Sequence, residues 1–231
     1  MRSARLARPA LDIALAALFL LQMGYIYLPL GAHEALGAAL GVAAFVHVLQ
    51  HRAWFRSLVR GRWTAARVLR AAGVFAALSC MAVLVASGVA LSGVLPASTS
   101  SWAQEAHLAA SHAALLAFGF HIGASVARGS TRSRDGNVLR TLVPCSWLLW
   151  SAYGAYAFVR LGVIGYLTGA MPFFAADDMV PFALAVFDYA SFTAAAAFAG
   201  FLMSMFCHLE RRRRSTGAAR GKVRGKRKKT C

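Results

Sequence analysis

Six long apolar runs constrain this chain more than any other feature. A helix needs roughly 20 mostly apolar residues to cross the hydrocarbon of a bilayer. Windows of about that length cover residues 10–30, 33–50, 68–95, 107–127, 142–168 and 182–208. With 59 % hydrophobic residues over 231 positions, the composition is also too apolar for an ordinary soluble domain. The connections are short, so the expected fold is an all-α integral membrane protein, a six-helix antiparallel transmembrane bundle. The divisions are a basic N-terminus at 1–9, a transmembrane domain at 10–208 and a basic, disordered tail at 209–231. The apolar part of the first run is longer than the 7–15 residues typical of a signal peptide, so the first helix is expected to be retained.

Charge sets the orientation. Threading the chain through six spans puts the N-terminus, the loop 51–67, the loop 128–140 and the tail on one side. Together with the flanking turns, these segments hold every Lys and Arg except Arg160. The other side holds Glu105, Asp177 and Asp178, with Glu34 at its border, and no basic residue. This is the positive-inside pattern, and it puts both termini in the cytoplasm. The formal charge of +17 therefore reflects topology. The tail carries no interleaved aromatic residue and no folded module, so membrane lipids are the expected partner there, and nucleic acid is not. The four cysteines, Cys80, Cys145, Cys207 and Cys231, have no metal-ligand spacing and suggest no disulfide framework. No nucleotide-binding glycine loop, Ser/His/Asp triad or zinc signature occurs, so catalysis of the soluble type has no support.

The chemistry-bearing pattern is a pair of histidine intervals. His33 and His47 are fourteen residues apart, and so are His107 and His121, on two helices of the same direction. Fourteen helical residues rise about 21 Å and rotate only ~40° away from two heptads. Each helix thus offers one imidazole near the outer surface and one toward the cytoplasm, from nearly the same face. Two layers of opposed imidazoles describe two bis-histidine haem sites, His33 with His107 and His47 with His121. Polar groups inside a membrane are costly and usually functional, and neutral imidazoles on iron meet that cost. Small residues (Gly37, Ala38, Ala39 and Gly41; Ala110, Ser111, Ala114 and Gly119) leave room for a macrocycle, although they equally serve helix packing. Two other readings of the histidines stand beside this one: a metal or proton pathway, and structural polar contacts.

The other polar residues have simpler expectations. His112 lies about 140° round the helix from His107, off the ladder face. His51 is an alternative inner ligand one turn beyond His47. His208 begins the basic tail and is expected at the interface. Arg160 and Asp188 lie at matching depths, so they pair with each other, or Arg160 neutralises a propionate of the outer haem. Asp12 is expected at the interface, solvated or near Arg67 or Arg70.

The segment His33-Glu34-Ala35-Leu36-Gly37, continuing to His47 and then Arg52-Ala53-Trp54-Phe55, resembles the opening of the flavinylation-associated cytochromes, a family of transmembrane di-haem b-type cytochromes. Ser87-Gly88-Val89-Ala90-Leu91-Ser92 and the interval from His107 to His121 follow it in order and spacing. Tyr153-Gly154-Ala155-Tyr156-Ala157-Phe158, Phe173-Phe174 and Asp188-Tyr189-Ala190 resemble the two-helix extension of longer members. The resemblance implies a haem-binding core at about 10–127 and an extension at about 141–208. It implies two haems b, ligated by His33, His47, His107 and His121. It further implies electron transfer across a bacterial inner membrane, from a quinol or cytoplasmic donor to an extracytoplasmic flavoprotein carrying FMN. Such a chain is an electron-transfer protein or an oxidoreductase subunit rather than a stand-alone enzyme. The rivals are a histidine-lined metal or proton transporter and a cofactor-free membrane scaffold.

Overall fold

In the computed structural model, the described backbone comprises residues 2–60, 62–92, 100–130, 139–173 and 180–227, and the described side chains comprise 8–60, 62–92, 102–127, 146–173 and 180–210. Phe174, Asp177, Asp178 and Cys231 lie outside the described residues, as do the side chains of Cys145 and of the basic tail. All regular structure among the described residues is helical: α1 (Arg2–Met23), α2 (Leu30–Gln50), α3 (Arg52–Leu58), α4 (Ala65–Leu91), α5 (Ser100–Ser130), α6 (Leu139–Arg160), α7 (Val163–Leu167) and α8 (Phe182–Arg227), with a 3-10 turn at Tyr25–Tyr27. Four stretches are long and apolar enough to cross a membrane: Leu30–Gln50, Ala65–Leu91, Trp102–Ala127 and Phe182–Glu210. In α1 and α6 the described side chains cover only 8–23 and 146–160, short of such a stretch.

Two elements differ from expectation. The fifth apolar run was expected as one helix through 168, but α6 ends at Arg160. Gly162 then adopts a left-handed backbone (φ 62°) and α7 restarts at Val163. Glycine enters that region without a Cβ penalty and is the usual residue just past a helix end. The amide of Gly162 closes the turn on the Val159 carbonyl at 3.0 Å. Arg160 therefore sits at a helix terminus. At the other end of the chain, where a disordered tail was expected, the backbone of α8 continues helical to Arg227. Arg, Lys and Ala are good helix formers and no proline interrupts the segment.

Contacts between particular residues give the helix directions. Gln22 of α1 donates to the His33 carbonyl of α2, while Asp12 meets His47, so α1 and α2 are antiparallel. Gly88 lies by His107 and Gly73 by Phe120, which makes α4 and α5 antiparallel. Gly119 faces Thr193 and Gly123 faces Ala197, which makes α5 and α8 parallel. Trp147 binds the Ala194 carbonyl and Tyr153 binds Asp188, so α6 and α8 are antiparallel. The chain thus alternates up and down, with α5 between α4 and α8, and α6 on the far side of α8.

Large side chains such as Phe19, Leu115 and Phe192 form one core cluster, and small residues line the close helix contacts beside it. Ala103, Ala110, Ala117 and Ala124 recur every seven residues on α5, and all are buried. In lipid, where apolar side chains gain little from leaving the solvent, close backbone approach supplies the packing energy. A Cβ added at Gly123 would sit 1.7 Å from the Ala197 carbonyl oxygen, and one at Gly154 would sit 2.0 Å from that of Ser191. Gly119, counted in the sequence among residues making cofactor room, instead packs against Thr193 and Ala196 of α8.

The Arg160 and Asp188 side chains form an ion pair, and Tyr153 donates to the other Asp188 oxygen at 2.7 Å. Asp188 is fully buried, whereas Arg160 is partly exposed. Of the two roles the sequence allowed Arg160, this is the one observed. Removing one partner of a buried pair leaves an uncompensated charge, at a cost of about 3–5 kcal/mol. Arg160→Ala is expected to lose about 3 kcal/mol, less than the upper figure because the guanidinium is part solvated. Asp188→Asn on that background should restore part of the loss. Unfolding in detergent measures both.

Candidate functional site

The histidines assigned by the sequence to the outer layer meet as the spacing predicts. His33, in the first turn of α2, and His107, early in α5, hold their ring centres 6.3 Å apart with planes inclined at 69°. Two imidazoles ligating one metal from opposite sides, each about 2 Å from it, keep their ring centres about 6 Å apart. The measured separation fits that arrangement.

At His107 a hydrogen bond selects the nitrogen that is free to ligate. Ser87 of α4 is fully buried, and its hydroxyl donates to the Val83 carbonyl at 2.6 Å. Its oxygen is then an acceptor for the Nδ1–H of His107, 3.0 Å away. That tautomer leaves the lone pair on Nε2, the arrangement that orients a metal-ligating histidine. On the opposite ring, Nδ1 of His33 is buried without a hydrogen-bond partner. A buried, unsatisfied imidazole nitrogen is costly and calls for an acceptor or a metal.

The inner histidines do not pair as simply. His47 and His121 line the same cavity of about 610 Å³, and His51 lines it too. Cofactor and ligand pockets span roughly 300–1,000 Å³, so this space accommodates a large planar group. Its apolar wall includes Phe19, Leu40, Phe118 and Phe120, with Arg70 as a nearby cation. The ring of His47 lies 4.6 Å from that of His51. Its Nδ1 lies 2.8 Å from an Asp12 carboxylate oxygen. The ligand atoms of Asp12, His47 and His51 all fall within 4.8 Å of one another. The Asp12 side chain is exposed, in line with the solvated position expected of it, and its carboxylate also meets His47. Arg67 reaches the Ser57 carbonyl, and Arg70, which lines the same cavity as Asp12, donates to that of Ala66. The antiparallel α1–α2 register brings residue 12 to residue 47, a signal available from the hairpin but not from spacing along one helix.

His112 lies off the ladder face, with its Nε2 buried and without a hydrogen-bond partner. It is fully buried, its Nδ1 lies 2.8 Å from the Leu108 carbonyl, and its ring stacks on Tyr166 with centres 4.0 Å apart. Ser87 is the residue that spacing arguments missed, because nothing along α4 marks it as a partner for a histidine on α5.

Among the described residues, the fold and these clusters define an all-helical protein with four helices long and apolar enough to cross a membrane, a facing histidine pair at one end and a histidine- and aspartate-edged cavity at the other. Comparison with protein-family models, with curated proteins and with solved structures finds no match to this chain.

Proposed function

We propose that this chain is a membrane di-haem b-type cytochrome, a six-span bundle with both termini in the cytoplasm, that carries electrons across the bilayer. The observation that carries the reading is the 6.3 Å separation of the His33 and His107 rings. The His33 nitrogen without a partner and the Ser87-held tautomer of His107 support it. Haem, when bound, supplies one-electron redox chemistry that no side chain here provides. The chain's own part is to hold iron-ligating nitrogens in a water-poor bundle and to fix their tautomers. His33 and His107 would serve the outer site. His47 and His121, facing the same cavity, would serve the inner one, with Arg70 placed to meet an acidic edge of the group. The donor is a quinol or a cytoplasmic reductant, and the acceptor an extracytoplasmic flavoprotein.

The pairing has a direct test. His47→Ala and His121→Ala should each remove the same haem, the inner one, and leave the outer spectrum in place. His51→Ala should retain both haems. Loss of haem in His51→Ala with retention in His47→Ala would reassign the inner ligand.

A second reading rests on the Asp12, His47 and His51 cluster, whose two imidazoles and one carboxylate form a set that suits a divalent transition metal. That reading requires a colourless protein that copurifies with metal and releases it to a chelator.

A further inference from the structure

We infer that Asp12 makes the inner site the lower-potential of the two, so that an electron passing outward moves downhill; this rests on the di-haem reading above. The histidines of the two layers are not held alike. His47 gives its Nδ1–H to a carboxylate, Asp12, at 2.8 Å. His107 gives its own to the neutral hydroxyl of Ser87 at 3.0 Å, and that hydroxyl is already committed to the Val83 carbonyl. An anionic acceptor draws the ring proton toward itself and makes the opposite nitrogen a stronger donor. A stronger donor favours ferric over ferrous iron and lowers the potential. A neutral hydroxyl does this far less.

Other charges act on the same balance. Arg70 lines the inner cavity and favours the reduced state there, but its Nε is bound to the Ala66 carbonyl. Asp12 acts through the ligand itself, at hydrogen-bond distance. At the outer end, Glu34 follows His33 in the chain; Glu34 and Asp12 are both exposed to water and salt. They differ in that Asp12 lies 2.8 Å from Nδ1 of His47, whereas Nδ1 of His33 has no hydrogen-bond partner. One electron leaving the inner site, which is oxidised, and entering the outer site, which is thereby reduced, travels away from the basic end of the bundle. No proton or further reactant is needed for that exchange. Asp12 is a positioning residue: it reaches the iron only through His47.

The test is an optical redox titration of the purified full-length protein, wild type against Asp12→Asn, Asp12→Glu and Ser87→Ala. Two waves are expected in the wild type. Asp12→Asn should shift the lower wave upward, narrow the gap and leave the upper wave in place, while Asp12→Glu keeps the wild-type order. Ser87→Ala should leave the lower wave where it was. If Asp12→Asn instead loses one haem, disappearance of the lower wave supports the assignment and disappearance of the upper wave overturns it. An unmoved lower wave, or a shift of the upper one, also overturns it. A wild-type protein with no haem at all would fail the di-haem reading itself, a result distinct from either.

Discussion

His107→Ala is expected to halve the haem content of the purified protein and to leave the remaining spectrum unchanged. The ring stands between two elements that fix it: Ser87 of α4 holds its Nδ1, and His33 of α2 faces it with centres 6.3 Å apart. Alanine would remove one of the two facing imidazoles that would hold the group and leave His33 without its counterpart. His112, five residues on, is enclosed by Tyr166 and Tyr189 on another face of α5. His33→Ala should behave the same way, and the double variant should lose no more than either single one. His112→Ala is the contrasting case, because it should keep both haems while destabilising the bundle. Haem extraction against protein concentration measures each.

The second large effect is expected from Gly123→Leu. At this position α5 and α8 approach so closely that even a Cβ would overlap the Ala197 carbonyl oxygen, at 1.7 Å. Overpacking in a core usually costs about 1–3 kcal/mol because side chains yield. Here the obstacle is backbone, so the helices themselves must part and the loss should exceed about 3 kcal/mol. Because α5 carries His107 and His121, the displaced helix should also lower haem retention. Gly31→Leu is the control: a Cβ there meets nothing within 4 Å, and stability should change little. Thermal unfolding in detergent, read alongside haem release, separates the two.

Helix content, direction and the outer histidine pair were legible in the sequence because they depend on local periodicity. Fourteen residues is two heptads whatever surrounds the helix, so His33 and His107 could be placed on facing layers in advance. The break after Arg160 was not read, because one glycine within an apolar run does not announce a left-handed conformation. For Asp12 the solvated position was read but the partner was not, for a related reason. Its contact with His47 is set by the register of the α1–α2 hairpin, which a turn of a few residues controls and single-helix spacing does not. Ser87 belongs to the same class: a hydroxyl on α4 acquires its role only when α5 docks beside it. The Arg160–Asp188 pair was found because matched depth in an apolar medium leaves opposite charges few other partners. The small residues of α5 were ambiguous in principle, and the structure assigns Gly119 to packing with α8.

The central claim is that the two histidine layers hold two haems, and the haem-to-protein ratio of the purified wild-type chain tests it most directly. Extraction with alkaline pyridine, together with a reduced-minus-oxidised spectrum, should give about two haems b per chain, in line with two bis-histidine sites. A colourless protein with no extractable haem would contradict the claim.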